Sequence, residues 1–301
     1  MKKFLYGAIV LSSLLHGFAG AQTAVPNAGM EEWNNLVFYE EPKFWTSPNA
    51  LVSSLGQKVV EKTTDAVSGM YAAKLTSVYL SLLNINVPGA MSTGTLDVSN
   101  PSNPTFRGGF KLNDPNAVAV IGYYKFTPSG NDSCMLYAIK TRWNSATGQR
   151  DTVAIAYYTS GAKQSYTFFV APFVVLLPGA TADSANIIIS TAADVLNAQA
   201  GSVLYVDNLD FTNDVGIAPT PEVTTLPTLL ADDQGTELAV PAGFQGSWLQ
   251  VLGTDGRLLW QQQVTDKVWL PASRLPQGCH FLILKHKEKH QVAVGRLIRT
   301  G

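Results

Sequence analysis

Six segments between residues 117 and 211 constrain the fold more than anything else in the chain: AVAVIGYYKFTP, CMLYAIKTRW, DTVAIAYYTS, QSYTFFVAPFVVLL, NIIIST and SVLYVDNLDF. Each is rich in Val, Ile, Tyr and Phe, and turn clusters such as PSGND, NSATGQ and TSGA separate them. No segment of similar length carries a helical period with caps. Strands at this spacing, without crossover helices, pair antiparallel, so the pattern predicts an all-β sandwich of two sheets and excludes a βαβ fold. The apolar run Phe168 to Leu177 contains Pro172 and is too short for a bilayer, which predicts a strand buried on both faces.

After Phe211 the alternation stops. TNDVGIAPTPEVTT, rich in Pro and Thr, predicts a linker over residues 214–226. Short strand patterns then resume over 227–301, including SWLQVLGTDGRLLWQQQV, where TDG sits between Trp248, Leu249, Val251 and Leu258, Leu259, Trp260 as a hairpin turn. A second, smaller C-terminal β-sandwich is expected there.

Residues 1–21 read as a cleavable signal peptide: two lysines, an apolar stretch from Phe4 to Leu15, then Ala19 and Ala21 before Gln22. The chain is expected to be exported and to carry no membrane span after cleavage. Cys134 and Cys279, on opposite sides of the linker, are expected to be separate buried thiols. Residues 22–218 carry 11 Lys plus Arg against 15 Asp plus Glu, and residues 219–301 carry 8 against 7. Neither part is a polycation, so no nucleic-acid footprint is expected.

Histidine occurs at positions 16, 280, 286 and 290 alone, so residues 22–218 contain none. That removes Ser-His-Asp triads, Cys-His pairs and imidazole-bound zinc from the main domain. A two-carboxylate glycoside hydrolase is the enzyme class left, with Asp114, Asp132, Asp151, Asp183, Asp194, Asp207 and Asp210 as candidates by type. Most sit in turn contexts where Asp bonds to backbone, and the sequence gives no pair face to face. A non-catalytic role is therefore the main expectation.

Sugar recognition needs aromatic faces beside planar polar groups. Strand alternation places Ile121, Tyr123 and Lys125 on one face of their strand, opposite Gly122, Tyr124 and Phe126. In the next strand Leu136, Ala138, Lys140 and Arg142 share a face, opposite Tyr137, Ile139, Thr141 and Trp143. Tyr123, Lys125, Lys140 and Arg142 are the expected glycan platform, while Trp33, Trp45 and Trp143 are expected in the core.

Two resemblances add to this reading. VLGTDGRLLW, LPQGCHFL and VGRLIR follow one another as in the type A C-terminal sorting domain of the type IX secretion system, although Cys279 replaces an aromatic residue. The resemblance implies passage through the periplasm and across the outer membrane, leaving the protein secreted or on the outer-membrane surface, with the secretion machinery as partner of residues 227–301. NAGMEEW, AVSGMYAAKL and VDNL, with the segments between them, resemble a carbohydrate metabolism domain family of surface proteins, akin to jelly-roll carbohydrate-binding modules. That implies a jelly-roll β-sandwich over residues 22–213 and a polysaccharide or glycan partner. A structural component that binds another protein is the remaining alternative. Kin of this family hold a structural calcium ion with residues matching Glu31 and Asp207.

Overall fold

A computed structural model describes residues 25–97, 99, 105–213, 222–253, 258–285 and 291–300. The expected signal peptide, most of the linker, the TDG turn and the Lys- and His-rich segment 286–290 lie outside the described residues.

Residues 25–213 form two antiparallel sheets packed face to face. In one sheet the strands run Val60–Thr63, Ala72–Thr76, Val203–Thr212, Ala119–Thr127 and Lys163–Val175. The other runs Gln149–Ser160, Cys134–Asn144 and Ser184–Ser190, with Ala90–Ser92 and Phe110–Lys111 both on the outer edge of Ser184–Ser190. Lys163–Val175 serves both: Lys163 to Pro172 pair with Ala119–Thr127, and Phe173 to Val175 pair with Gln149–Ser160. Pro172 sits where the ladder changes partner, a position that tolerates a missing N–H. Strand neighbours from distant parts of the chain, all antiparallel, make this a jelly roll.

Period-two alternation builds the core. Val120, Tyr124 and Phe126 from one sheet meet Leu136, Ala138 and Ala156 from the other. Tyr124 keeps its hydroxyl satisfied inside by hydrogen bonds with Tyr158 and Ser160. The strand over Phe168 departs from its expectation: Phe169 is buried but Phe168 is 40% exposed, because no element among the described residues covers the outer face of the five-stranded sheet there.

Residues 222–300 form a second β unit with its own core, including Leu249, Val251, Leu270, Leu282, Leu284 and Leu297. Its main sheet runs Leu258–Gln263, Trp248–Gly253, Gly278–Lys285 and Gln291–Arg299. Gly235–Ala239 and Lys267–Pro271 form a separate pair. The linker is shorter than expected: Glu222–Thr225 is a strand, parallel to Gln291–Arg299, and Leu226 is buried in the second core. Val and Thr on that strand supply the β propensity that the neighbouring prolines concealed. At Gly295 a Cβ would lie 2.6 Å from Leu226 Cβ, so this close crossing requires glycine. No helix among the described residues is long and apolar enough to cross a membrane.

Candidate functional site

The four residues of the expected platform do not share a face. Tyr123 and Lys125 lie on the outer face of the five-stranded sheet, where Tyr123 packs on Phe168 with ring centroids 5.3 Å apart. Lys125 is already occupied. Its ammonium pairs with Asp65 and lies over the rings of Tyr205, at 4.1 Å, and Tyr166, at 5.2 Å.

Lys140 belongs to the interior and is 3% exposed. Its Nζ donates to the carbonyls of Pro115, at 3.0 Å, and Ala117, and sits 4.4 Å from the Phe173 ring centroid. Burial lowers its pKa to about 8, against a smaller opposing effect of Asp114. The alternation was read correctly but its direction was not, because Leu136, Ala138 and Lys140 point into the sandwich. Arg142, at the end of the same row, ion-pairs with Asp151 at 3.2 Å.

The open end of the sheet that contains Cys134–Asn144 lies on the other face. Trp143 was expected in the core, yet it is 56% exposed and shares the outer face with Thr141, two residues earlier. Opposite it in the ladder is Arg150, which pairs with Asp183 at 2.6 Å and donates to Thr141 Oγ1 at 3.2 Å. Asp183 also accepts the Trp143 backbone N–H at 2.8 Å, which fixes the backbone that presents the indole. Next to this pair is a cleft of about 520 Å³ whose sandwich wall includes Thr141, Arg150, Thr152, Phe106 and Arg107. Gln277, Gly278 and His280 of the second unit form its other wall. Arg107 is paired with Asp97 at 2.8 Å. Two guanidinium–carboxylate pairs, threonine hydroxyls and an exposed indole give the mixture of planar polar groups and flat apolar surface that a pyranose requires.

A second cleft, about 620 Å³, lies at the other end of the same sheet. Asp132, Asp194, Asn197, Gln199 and Thr159 line it together with Gln250 and Gln261 of the second unit. Asp132 accepts from the Gln199 N–H at 3.0 Å and the Ser202 hydroxyl at 2.6 Å, and Asp194 accepts from Asn197 at 2.8 Å. The other candidate carboxylates hold local structure: Asp114 accepts from the Asn116 N–H and Asp210 from the Phe211 N–H.

Glu31 and Asp207 do meet at one corner, across the 67–71 loop. Glu31 accepts the N–H groups of Met70, at 2.9 Å, and Tyr71, at 3.2 Å. Asp207, with 0% exposure, accepts those of Val67, Ser68 and Asn208. Burial raises the Asp207 pKa; the three backbone bonds oppose it, and the Glu31 charge adds to it. Calcium needs six to eight oxygens, whereas five N–H donors face these two carboxylates. No group of three or more His, Cys, Asp or Glu that could hold a metal occurs among the described residues. The corner ties the first and last segments of the sandwich together through backbone donors, and Ser68 Oγ and Asn208 Oδ1, 3.0 Å apart, lie beside the two carboxylates. Cys134 and Cys279 form no disulfide, and the Cys134 thiol donates to the Ser160 carbonyl at 3.4 Å.

No family model matches the chain, and no curated protein matches it. Solved structures similar to it include a carbohydrate-binding module of family 28 specific for non-crystalline cellulose, at 11% identity and TM-score 0.35, covering 62% of this chain and 93% of that one. Another is the CBM22-1 xylan-binding domain from Paenibacillus barcinonensis Xyn10C, at 16% identity and TM-score 0.32, covering 62% and 94%. A third is the family 11 module from Clostridium thermocellum in complex with a β-1,3-1,4-mixed-linked tetrasaccharide, at 12% identity and TM-score 0.32, covering 58% and 92%. Similarity at this level carries no argument about the ligand of this chain; the jelly roll is established by the strand order itself.

Proposed function

We propose that the protein is a secreted, non-catalytic glycan-binding module that holds polysaccharide at the Trp143 cleft. The observation that carries this is the exposed Trp143 indole opposite Arg150 in the ladder, Arg150 being paired with Asp183 and itself lining a cleft of about 520 Å³. Burial of an aromatic face against sugar C–H groups supplies affinity, and fixed charge pairs supply hydroxyl partners without leaving an unpaired charge. The test is affinity electrophoresis of the full chain against a polysaccharide panel. Binding that weakens about tenfold in Trp143→Ala supports the proposal; no binding to any polysaccharide overturns it.

Export by the type IX system, with residues 227–301 as the sorting signal, is proposed on the tail's resemblance. Fusing residues 214–301 to a periplasmic reporter should bring it to the cell surface; retention in the periplasm contradicts this. Calcium at Glu31 and Asp207 likewise stays a proposal from resemblance, and an ion there would use the carboxylate lone pairs that the N–H donors leave open.

A specific observation favours protein binding as a second reading. Leu36, Val37 and Phe38 are 47, 89 and 68% exposed at the tip between Trp33–Asn35 and Glu40–Pro42. Capture of a protein partner that is lost in Phe38→Ser, with no glycan bound, would favour it.

A further inference from the structure

Between the two clefts, the face that carries Trp143 is closed. Met135, Tyr137, Ile139, Ile155 and Ile188 are buried there in one cluster with Leu252, Phe281, Ile283 and Val294 of the second unit. The rings of Tyr137 and Phe281 lie with centroids 6.4 Å apart.

Alternation explains how each sheet serves two layers. In Cys134–Asn144 the residues 134, 136 and 138 fill the jelly-roll core, while 135, 137 and 139 face the second unit. In Gly278–Lys285, Leu282 and Leu284 fill that unit's own core, while Phe281 and Ile283 face the sandwich. The side chains that dock the second unit are therefore distinct from those that hold it folded. None of the ion pairs formed among the described residues joins the two units.

Each cleft takes one wall from the second unit, and the two lie at opposite ends of the same strands. Ser133 lines one and Thr141 the other, about 26 Å apart at ~3.3 Å per residue. We propose that the second unit is a removable cover on the glycan-binding face. Docked, it confines ligand to the ends of the sheet. Undocked, it uncovers Tyr137 and joins the two clefts into one groove long enough for several consecutive sugar rings. This inference rests on the glycan reading of the Trp143 cleft and adds its regulation.

The test compares the full chain with Phe281→Asp, which places a charge in the seam but not in either core. X-ray scattering reports undocking, and calorimetry with an oligosaccharide ladder of the polysaccharide that the unmodified chain binds reports affinity. The expected result is an extended particle with at least tenfold tighter binding of the longest oligosaccharides and unchanged binding of the shortest. An extended particle with unchanged or weaker binding of long oligosaccharides overturns the cover while leaving the cleft standing. If Phe281→Asp stays compact, Phe281→Asp with Ile283→Asp is measured, and a compact double variant also overturns it. Failure of the unmodified chain and of the extended variant to bind any polysaccharide sinks the glycan reading itself.

Discussion

Replacing Lys140 separates a binding role from a structural one. Lys140→Ala removes a side chain that is 3% exposed and whose Nζ satisfies the carbonyls of Pro115 and Ala117. Losing the stem leaves a cavity worth about 2 to 4 kcal/mol, and each buried carbonyl left without a donor costs about 1 to 3 kcal/mol. An opposing gain comes from no longer burying a charge. The fall in pKa from 10.5 to about 8 corresponds to about 3 kcal/mol at ~1.36 kcal/mol per tenfold change. The net loss is then about 1 to 7 kcal/mol at neutral pH, and the melting temperature should fall by roughly 2 to 4 °C per kcal/mol for a domain of this size. Glycan affinity should not change.

The pH dependence has a definite sign. A lowered folded pKa means that the neutral amine is the favoured form in the fold, so its contribution is complete above 10.5 and is lost as pH falls through about 8. The stability of the unmodified chain relative to Lys140→Met should therefore rise between pH 8 and pH 10 in urea titrations. Weakened glycan binding in Lys140→Ala, with an unchanged melting temperature, would refute the reasoning.

Other consequences follow from the same geometry. Burial raises the Glu41 carboxyl to about 7, and Ser47 is its hydrogen-bond partner, so stability is lost as pH rises from 4.5 through 7; Glu41→Gln should gain up to about 3 kcal/mol at pH 8 in denaturant titrations. Gly69 has φ +69, and a Cβ there would lie 2.0 Å from Glu31 Oε1, so Gly69→Ala should open the Glu31–Asp207 corner and lower stability by about 2 kcal/mol or more. Calcium at Glu31 and Asp207 predicts a melting midpoint several degrees lower after chelation; an unchanged midpoint overturns it. No reducing ends should appear on incubation with bound polysaccharide. Their release, abolished in Asp194→Asn, would instead establish hydrolysis at the second cleft.

The jelly roll was legible because alternation and turn chemistry are local. Ile121, Tyr123 and Lys125 do share an outer face, and Tyr124 and Phe126 do face the core. What alternation leaves open is which face points inward. For Cys134–Asn144 both faces begin apolar, since Met135, Tyr137 and Ile139 meet a second sheet as closely as Leu136 and Ala138 meet the first. A cation at the end of such a row reads as a solvent-facing group, yet Lys140 lies where backbone carbonyls, not water, complete its bonds. Trp143 was misplaced for the complementary reason: the apolar row it terminates extends beyond the edge of the covering unit. The approach of the second unit is a tertiary fact that no local pattern records. The resemblance paired Asp207 with Glu31, but the reach of Asp207 to Val67 and Ser68, 140 and 139 residues away, was not legible.

The central claim is that polysaccharide is held at the open end of the sheet that carries Trp143. Its most direct measurement is the affinity of the full chain, Trp143→Ala and Tyr123→Ala for the same polysaccharide. The account predicts about tenfold weaker binding in Trp143→Ala and no change in Tyr123→Ala. Loss confined to Tyr123→Ala, on the opposite face of the sandwich, would contradict it.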